Sequence, residues 1–326
     1  MSQAETSNAG FSIIDRMATR PQPDTAAEIT AGLFAPAAAI SPKYFYDALG
    51  CRLFQAICEL PEYYVTRTEA AVFDQYREVI AKAAGTGRQL VDLGAGDCQK
   101  AACWFPAMEP SRYIAIDVAR GIVESALAEF TAEMPNTGFT GLIDDFSTTL
   151  DLDDVLGAEP VTFFYPGSSI GNFTPDEAVH FLAQTRRYCT APGSGLLIGV
   201  DLVKDHEVLR RAYDDATGVT AAFNKNVLNH INKLAHAGFD PGMFRHVGLF
   251  NPDESRIEMH LEALAACSVR IGDQTRAFKA GERIHTENSY KYTVESFTAL
   301  LARAGFNRVQ HWSDEKNWFG VFFASP

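Results

Sequence analysis

From residue 89 onward, short apolar runs rich in β-branched residues alternate with stretches of helical periodicity. The runs fall at 89–94, 112–118, 138–146, 161–169 and 195–203, and helices are predicted around 99–108, over 120–133 and over 177–189. That rhythm predicts an α/β fold, a parallel sheet wound with crossover helices. A helix over 68–84, starting at a Thr68 cap and stopping before the turn 85–89, precedes it. Between 201 and 291 the rhythm breaks into a long helical stretch (206–235) and a strand-like alternation (256–271). A helix at 294–305 and a hairpin over 308–326 follow. The sheet domain is thus expected to comprise 68–200 and 292–326. The 201–291 insertion and residues 41–67 are expected to form a smaller second lobe over the sheet's C-terminal edge, where open α/β sheets bind ligands. Residues 1–40 read as a partly irregular N-terminal extension.

The strongest local signal inside the sheet is Val91-Asp92-Leu93-Gly94-Ala95-Gly96. An apolar strand runs into a turn in which Gly94 and Gly96 let the backbone bend tightly and approach a ligand without a Cβ in the way. The dinucleotide fingerprint is incomplete, because Gln99 stands where a third glycine would sit and no pyrophosphate cradle is present. S-adenosylmethionine carries no pyrophosphate, so that gap is expected for it. The next run ends in Asp117, about 20 residues on, where a carboxylate can accept bonds from both ribose hydroxyls. The run after that ends in Asp144-Asp145-Phe146, suited to an adenine amino group and an apolar ring face. Three strand ends in order therefore predict an adenosine-binding sheet.

Composition removes several other classes. A formal net charge of -13 and a pI near 5.1, without a basic stripe longer than two residues, exclude nucleic acid as the expected partner. No window approaches the ~20 apolar residues of a membrane span. The N-terminus lacks the basic start and apolar run of a signal peptide, so a cytoplasmic protein is expected. The six cysteines never occur as CxxC or at metal-like spacing with a histidine, so reduced thiols and no metal are expected.

Longer strings carry a more specific signal. They are Leu60-Pro61-Glu62-Tyr63-Tyr64 with Thr66-Arg67-Thr68-Glu69, Pro166-Gly167-Ser168-Ser169-Ile170-Gly171-Asn172-Phe173, and Asp201-Leu202-Val203-Lys204-Asp205. Further on stand Arg211-Ala212-Tyr213-Asp214-Asp215 with Gly218-Val219-Thr220, Arg256-Ile257-Glu258-Met259, and Thr286-Glu287-Asn288-Ser289-Tyr290-Lys291. In this order, and over nearly the whole chain from about Ser41, they resemble the histidine-specific methyltransferases, the L-histidine Nα-methyltransferases of ergothioneine biosynthesis.

The resemblance implies a Rossmann-like class I methyltransferase sheet, a monomer, and a small-molecule substrate, L-histidine. It implies trimethylation of the α-amino group to hercynine with S-adenosylmethionine as methyl donor. Gly94, Gly96, Lys100, Asp117, Asp145 and Phe146 would hold that donor. Tyr63, Asn172 and Tyr213 would hold the substrate carboxylate, Glu287 and Ser289 the imidazole, and Met259 a wall of the pocket. Tyr46 would lie near the amine as an orienting group. The residue types suit these tasks: an amide and two phenols offer neutral donors to a carboxylate. If residues 287 and 289 share a strand, their spacing points both side chains to one face. The alternative within the same fold is an N-methyltransferase of another amino acid or an aromatic amine, for which a carboxylate facing imidazole has no use.

Overall fold

Every residue of Gln89–Leu93 is buried, as a strand covered on both faces requires. The computed structural model describes residues 5–8, 10–18, 24–147 and 149–326. Its strands in chain order are β1 (Glu5–Asn8), β2 (Phe11–Asp15), β3 (Gln89–Leu93), β4 (Arg112–Asp117), β5 (Gly138–Ile143), β6 (Val161–Tyr165) and β7 (Gly195–Asp201). Then come β8 (Phe244–Asn251), β9 (Arg256–Ala263), β10 (Cys267–Ile271), β11 (Gln274–Phe278), β12 (Arg283–Tyr290), β13 (Arg308–Ser313) and β14 (Phe319–Ser325). The helices are α1 (Thr25–Phe34), α2 (Ala48–Cys58), α3 (Val65–Ala84), α4 (Gln99–Ala102), α5 (Phe105–Met108), α6 (Arg120–Glu133), α7 (Pro175–Tyr188), α8 (His206–Tyr213), α9 (Val219–Leu234) and α10 (Val294–Arg303).

Nine strands form one sheet in the order β1-β2-β5-β4-β3-β6-β7-β14-β13. From β2 to β7 all neighbours run parallel, and the C-terminal hairpin β13–β14 adds antiparallel to β7. Side chains alternate between the two faces, as strands demand. Val91, Leu93, Ile114 and Ile116 pack with Phe181 of α7 and Phe297 of α10. Leu90, Tyr113 and Ala115 pack with Ile80 of α3 and Leu127 of α6. Each such full burial contributes roughly 1.5–3 kcal/mol before chain entropy is charged against it. The second core runs on without a break into Phe223 and Val227 of α9 and Met259 and Leu261 of β9. The insertion is thus seated on the α3 side of the sheet. It contains a three-stranded antiparallel sheet, β12-β9-β8, and the hairpin β10–β11.

Several predicted elements differ from the fold in instructive ways. Within residues 1–40, where a partly irregular extension is expected, β2 extends the sheet parallel to β5 and β1 returns antiparallel along it. Helix α3 starts at Val65 rather than after a Thr68 cap. Arg67 braces the preceding turn by donating to the carbonyls of Leu60, Pro61 and Tyr63, and Thr68 Oγ1 turns back to the Tyr64 carbonyl at 2.9 Å. The helix expected around 99–108 is split into α4 and α5, since Pro106 has no N–H to continue the ladder. The stretch 206–235 is likewise two helices. The first ends at Tyr213, and the Asp215 side chain satisfies the start of the second, accepting from Val219 and Thr220 N–H at 3.1 and 2.7 Å. Among the described residues no helix is long and apolar enough to cross a membrane.

Candidate active site

Because β3, β4 and β6 are parallel neighbours, the turns after them share one edge of the sheet. After β3, Gly94 and Gly96 take φ of 72° and 54°, left-handed values that a side chain would strain. Gly94 and Ala95 N–H both donate to the Ile116 carbonyl, tying this turn to the end of β4. There Asp117 accepts from Gly96 N–H through Oδ2 and from Ala119 N–H through Oδ1, both at 2.9 Å. Its carboxylate retains lone pairs for a diol. Val118 beside it is 56% exposed and offers an apolar surface to a ring. Asp145, after β5, accepts from Ser147 N–H and Oγ, and the Phe146 ring stands 3.7 Å from where a Cβ on Gly94 would lie. This donor and acceptor set fits an adenosine with its methionine arm. Lys100, expected to hold the donor, stands at the same edge. Its ammonium pairs at 2.8 Å with Glu69 Oε2, while Glu69 Oε1 takes the Gly167 N–H at 2.6 Å.

Gly167 belongs to the turn after β6, and the same turn lines a cavity beside that edge. Tyr46, Tyr63, Asn172, Tyr213, Met259, Glu287 and Ser289 all line it, with Phe54, Ile57 and Phe223 among the apolar walls. The aromatic rings stand edge to face: Tyr46 with Phe54 at 5.9 Å, Phe54 with Tyr63 at 6.3 Å, and Tyr63 with Tyr213 at 6.1 Å between centroids. Burial raises the pKa of the Tyr63 and Tyr213 hydroxyls, so at neutral pH both remain protonated donors. Tyr46 is 46% exposed and forms the mouth.

A β-bulge aims the polar end of this cavity. His285 pairs with His260 across the strands, yet Glu287 pairs with Met259, leaving Thr286 as the extra residue. Thr286 is buried and donates to Asn224 Oδ1 and the Met259 carbonyl at 2.8 and 2.9 Å. The slip turns Glu287 and Ser289 to the Met259 face, into the cavity. His285 goes to the opposite face with His260 and Glu258. Those three form the one group among the described residues whose atoms are close enough to share a metal, all within 4.8 Å. They are engaged otherwise: Glu258 takes His260 Nε2 at 2.9 Å and the Arg256 guanidinium at 2.7 Å, and His285 Nε2 meets the Glu287 carbonyl at 3.0 Å. Burial pushes Glu287 up to about 7, against the opposing influence of Lys291 and a hydrogen bond from Asn172.

Sequence reasoning missed the charges behind this pocket. Asp201 at the end of β7 is fully buried and meets Lys204 Nζ at 2.5 Å, Lys291 Nζ at 2.8 Å, and the Tyr64 hydroxyl at 2.8 Å. Lys291 also reaches Ser289 Oγ at 2.7 Å and Tyr213 Oη at 3.0 Å. The signal was present in the spacing, since Lys291 continues the alternation of Glu287 and Ser289 by one more step.

A glycine turn and an acid on adjacent strand ends, beside a polar cavity, are the arrangement of a class I methyltransferase that uses S-adenosylmethionine. Within that class the sequence profile described as histidine-specific, SAM-dependent methyltransferase matches residues 25–326, and the chain belongs to that family. It is 43% identical over 312 residues to a histidine N-alpha-methyltransferase of Mycolicibacterium smegmatis, covering 92% of this chain and 96% of that one. It is 37% identical over 304 residues to a histidine N-alpha-methyltransferase of Mycobacterium tuberculosis, covering 91% and 94%. The crystal structure of an S-adenosylmethionine-dependent methyltransferase from Clostridium acetobutylicum aligns with a TM-score of 0.46 at 10% identity, over 84% of this chain and 98% of that one.

Proposed function

We propose that this enzyme transfers three methyl groups in succession from S-adenosylmethionine to the α-amino group of L-histidine, giving hercynine, the first step of ergothioneine biosynthesis. The observation that carries the reading is the convergence of Glu287, Ser289, Asn172, Tyr63 and Tyr213 on one cavity adjoining the Gly94 edge. Tyr63, Asn172 and Tyr213 hold the carboxylate with neutral donors. Glu287 and Ser289 hold the imidazole, Met259 closes one wall, and Tyr46 orients the amine at the mouth. Gly94, Gly96, Asp117, Asp145 and Phe146 hold the methyl donor, with Lys100 braced by Glu69 behind them.

Methyl transfer is an in-line displacement at a sulfonium carbon, and the donor supplies the electrophile. The chain's own contribution is to bring a neutral amine onto that axis and keep it there. A buried carboxylate facing imidazole also rejects apolar side chains, because leaving it unpaired costs on the order of 1–3 kcal/mol. In this reading residues 41–67 and 201–291 bind the amino acid, and 68–200 with 292–326 bind the donor. The protein acts as a cytoplasmic monomer without a metal.

The test is mass spectrometry of the purified protein incubated with S-adenosylmethionine and an equimolar mixture of the twenty amino acids. Three added methyl groups on histidine alone are expected. Methylation of a different amino acid would overturn the role given to Glu287.

A further inference from the structure

We propose that Lys291 is a positioning residue, the positive charge against which the substrate's carboxylate is held, acting through the hydroxyls of Tyr213 and Ser289. The inference rests on the reading of this cavity as a histidine site and adds to it a group that does not touch the ligand.

The geometry starts at the end of β12. Lys291 is anchored at both backbone atoms, its N–H donating to the Ser255 carbonyl at 2.8 Å and its carbonyl accepting Ser255 Oγ at 2.9 Å. Its side chain has no solvent exposure. An ammonium has three donors, and here each has one acceptor: Asp201 Oδ2 at 2.8 Å, Ser289 Oγ at 2.7 Å and Tyr213 Oη at 3.0 Å. The lysine is fully satisfied without a ligand, and it reaches the cavity only through two hydroxyls that line it.

Charge counting gives the cluster its purpose. Asp201 contributes one negative charge and faces two ammonium groups, Lys204 and Lys291. One lysine would neutralise it, so the second leaves the cluster with a net positive charge where neither lysine side chain is more than 3% exposed. Buried charge without a counter-ion is costly, and proteins keep it where something pairs with it. The acids nearby do not fill that place. Asp314, which Lys204 also feels, spends its carboxylate on the N–H groups of Lys316, Trp318 and Phe319. Glu287 lies on the same strand two residues before Ser289 and feels Lys291, yet burial still pushes its carboxyl up to about 7, so it is a poor counter-ion. A ligand carboxylate is the missing anion.

The hydroxyls transmit the charge with a defined polarity. Tyr213 Oη and Ser289 Oγ each accept one N–H from Lys291 and stand 2.8 Å from each other. One of their two O–H groups closes that contact, and the other is left for the ligand. When Ser289 donates to Tyr213, the phenol keeps its proton for a carboxylate, polarised by the ammonium behind it. Ser289 then keeps one lone pair for an imidazole N–H. Recognition of the two ends of histidine is thereby coupled through one pair of oxygens.

The experiment separates the carboxylate from the rest of the substrate. Dissociation constants are measured by calorimetry on protein saturated with S-adenosylhomocysteine, for histidine, for 3-(imidazol-4-yl)propionate, which lacks the amine, and for histamine, which lacks the carboxylate. Lys291→Met is expected to weaken histidine and imidazolylpropionate about 30-fold or more, the loss of a charge-assisted interaction. Histamine and S-adenosylhomocysteine should stay within about threefold, outside the effect of such a bond. Lys291→Gln, which keeps a donor but no charge, should show the same pattern. Equal weakening of histamine and imidazolylpropionate, or no weakening of either, overturns the proposal. So does loss of S-adenosylhomocysteine binding in both variants, which would make Lys291 a folding residue. Wild-type protein that binds none of the three imidazoles would instead refute the histidine reading itself.

Discussion

At the edge proposed for the donor the binding groups are backbone turns and a carboxylate already steadied by two N–H groups. In the cavity proposed for the amino acid they are side chains delivered by six separated segments of the chain. Gly94, Gly96 and Asp117 lie within 24 residues of one another on adjacent strand ends. Tyr46, Tyr63, Asn172, Tyr213, Met259, Glu287 and Ser289 are spread over more than two hundred residues and meet only because the insertion packs onto the α3 face of the sheet. The first half therefore works by local conformation, and damage to it should stay local. The second works by buried charge and hydroxyl networks, where one change alters the protonation or polarity of its neighbours.

Asp117→Ala gives the largest expected effect and tests whether the halves are separable. It removes the acceptor proposed for a diol and also the two N–H bonds that steady Gly96 and Ala119. Two charge-assisted bonds at about 1.5–3 kcal/mol each predict S-adenosylhomocysteine affinity falling about 100-fold or more. At saturating donor, the KM for histidine should move by no more than about threefold, because no cavity contact is lost. Equivalent losses for both ligands, measured by calorimetry and steady-state kinetics, would show that the halves are not independent.

The same division explains what could be read from the chain. The donor edge was legible because strand, turn and acid follow one another in sequence and each type has a local reason to be there. The parallel sheet was legible for the same reason, from period and length of the apolar runs. The cavity residues were reached only through long strings shared with a family, since a lone Tyr63 or Glu287 has no local signature. What remained hidden depended on register. The bulge at Thr286 decides that Glu287 faces the cavity and His285 does not, and no residue type in that stretch announces it. The pairing of Asp201 with Lys291 joins β7 to the end of β12, 90 residues apart. The β1–β2 extension was missed because runs of four and five residues are too short to show a period until a sheet edge is there to receive them.

Glu287→Gln should give an intermediate effect on binding and an opposite one on stability. Replacing a charged acceptor by a neutral one should raise the KM for histidine about ten- to a hundredfold, with donor affinity unchanged. Burial raises this carboxyl to about 7 from an ordinary value of 4.5. Between those two pH values the folded protein binds more protons than the unfolded chain, so stability falls as pH rises through the window and stays low above it. Glutamine has no proton to lose. In the ligand-free protein it should therefore be more stable than wild type at pH 8, by about 1–3 kcal/mol, and the advantage should vanish near pH 4.5. Chemical denaturation at the two pH values checks this. A pH-independent difference would mean that Glu287 is not held in a charge-averse site, and the contrast drawn between cavity and edge would weaken.

Lys100→Met should give the smallest effect, and it decides where the boundary between the halves runs. The lysine lies at the donor edge, yet its ammonium is committed to Glu69 at 2.8 Å, and Glu69 in turn holds the Gly167 N–H of the cavity turn. Lys100 is 47% exposed, and a half-exposed ion pair is worth roughly 0–1 kcal/mol. If it acts only as that brace, donor affinity should fall about fivefold or less, in keeping with the loss of such a pair. Glu69, 2% exposed, would keep only its backbone partner, so a small loss of thermal stability should accompany it. A fall of two orders of magnitude in donor affinity would show instead that Lys100 leaves Glu69 for the methionine carboxylate once the donor is bound. The donor edge would then share with the cavity the use of a mobile charge, and the distinction between the halves would reduce to their distance in sequence.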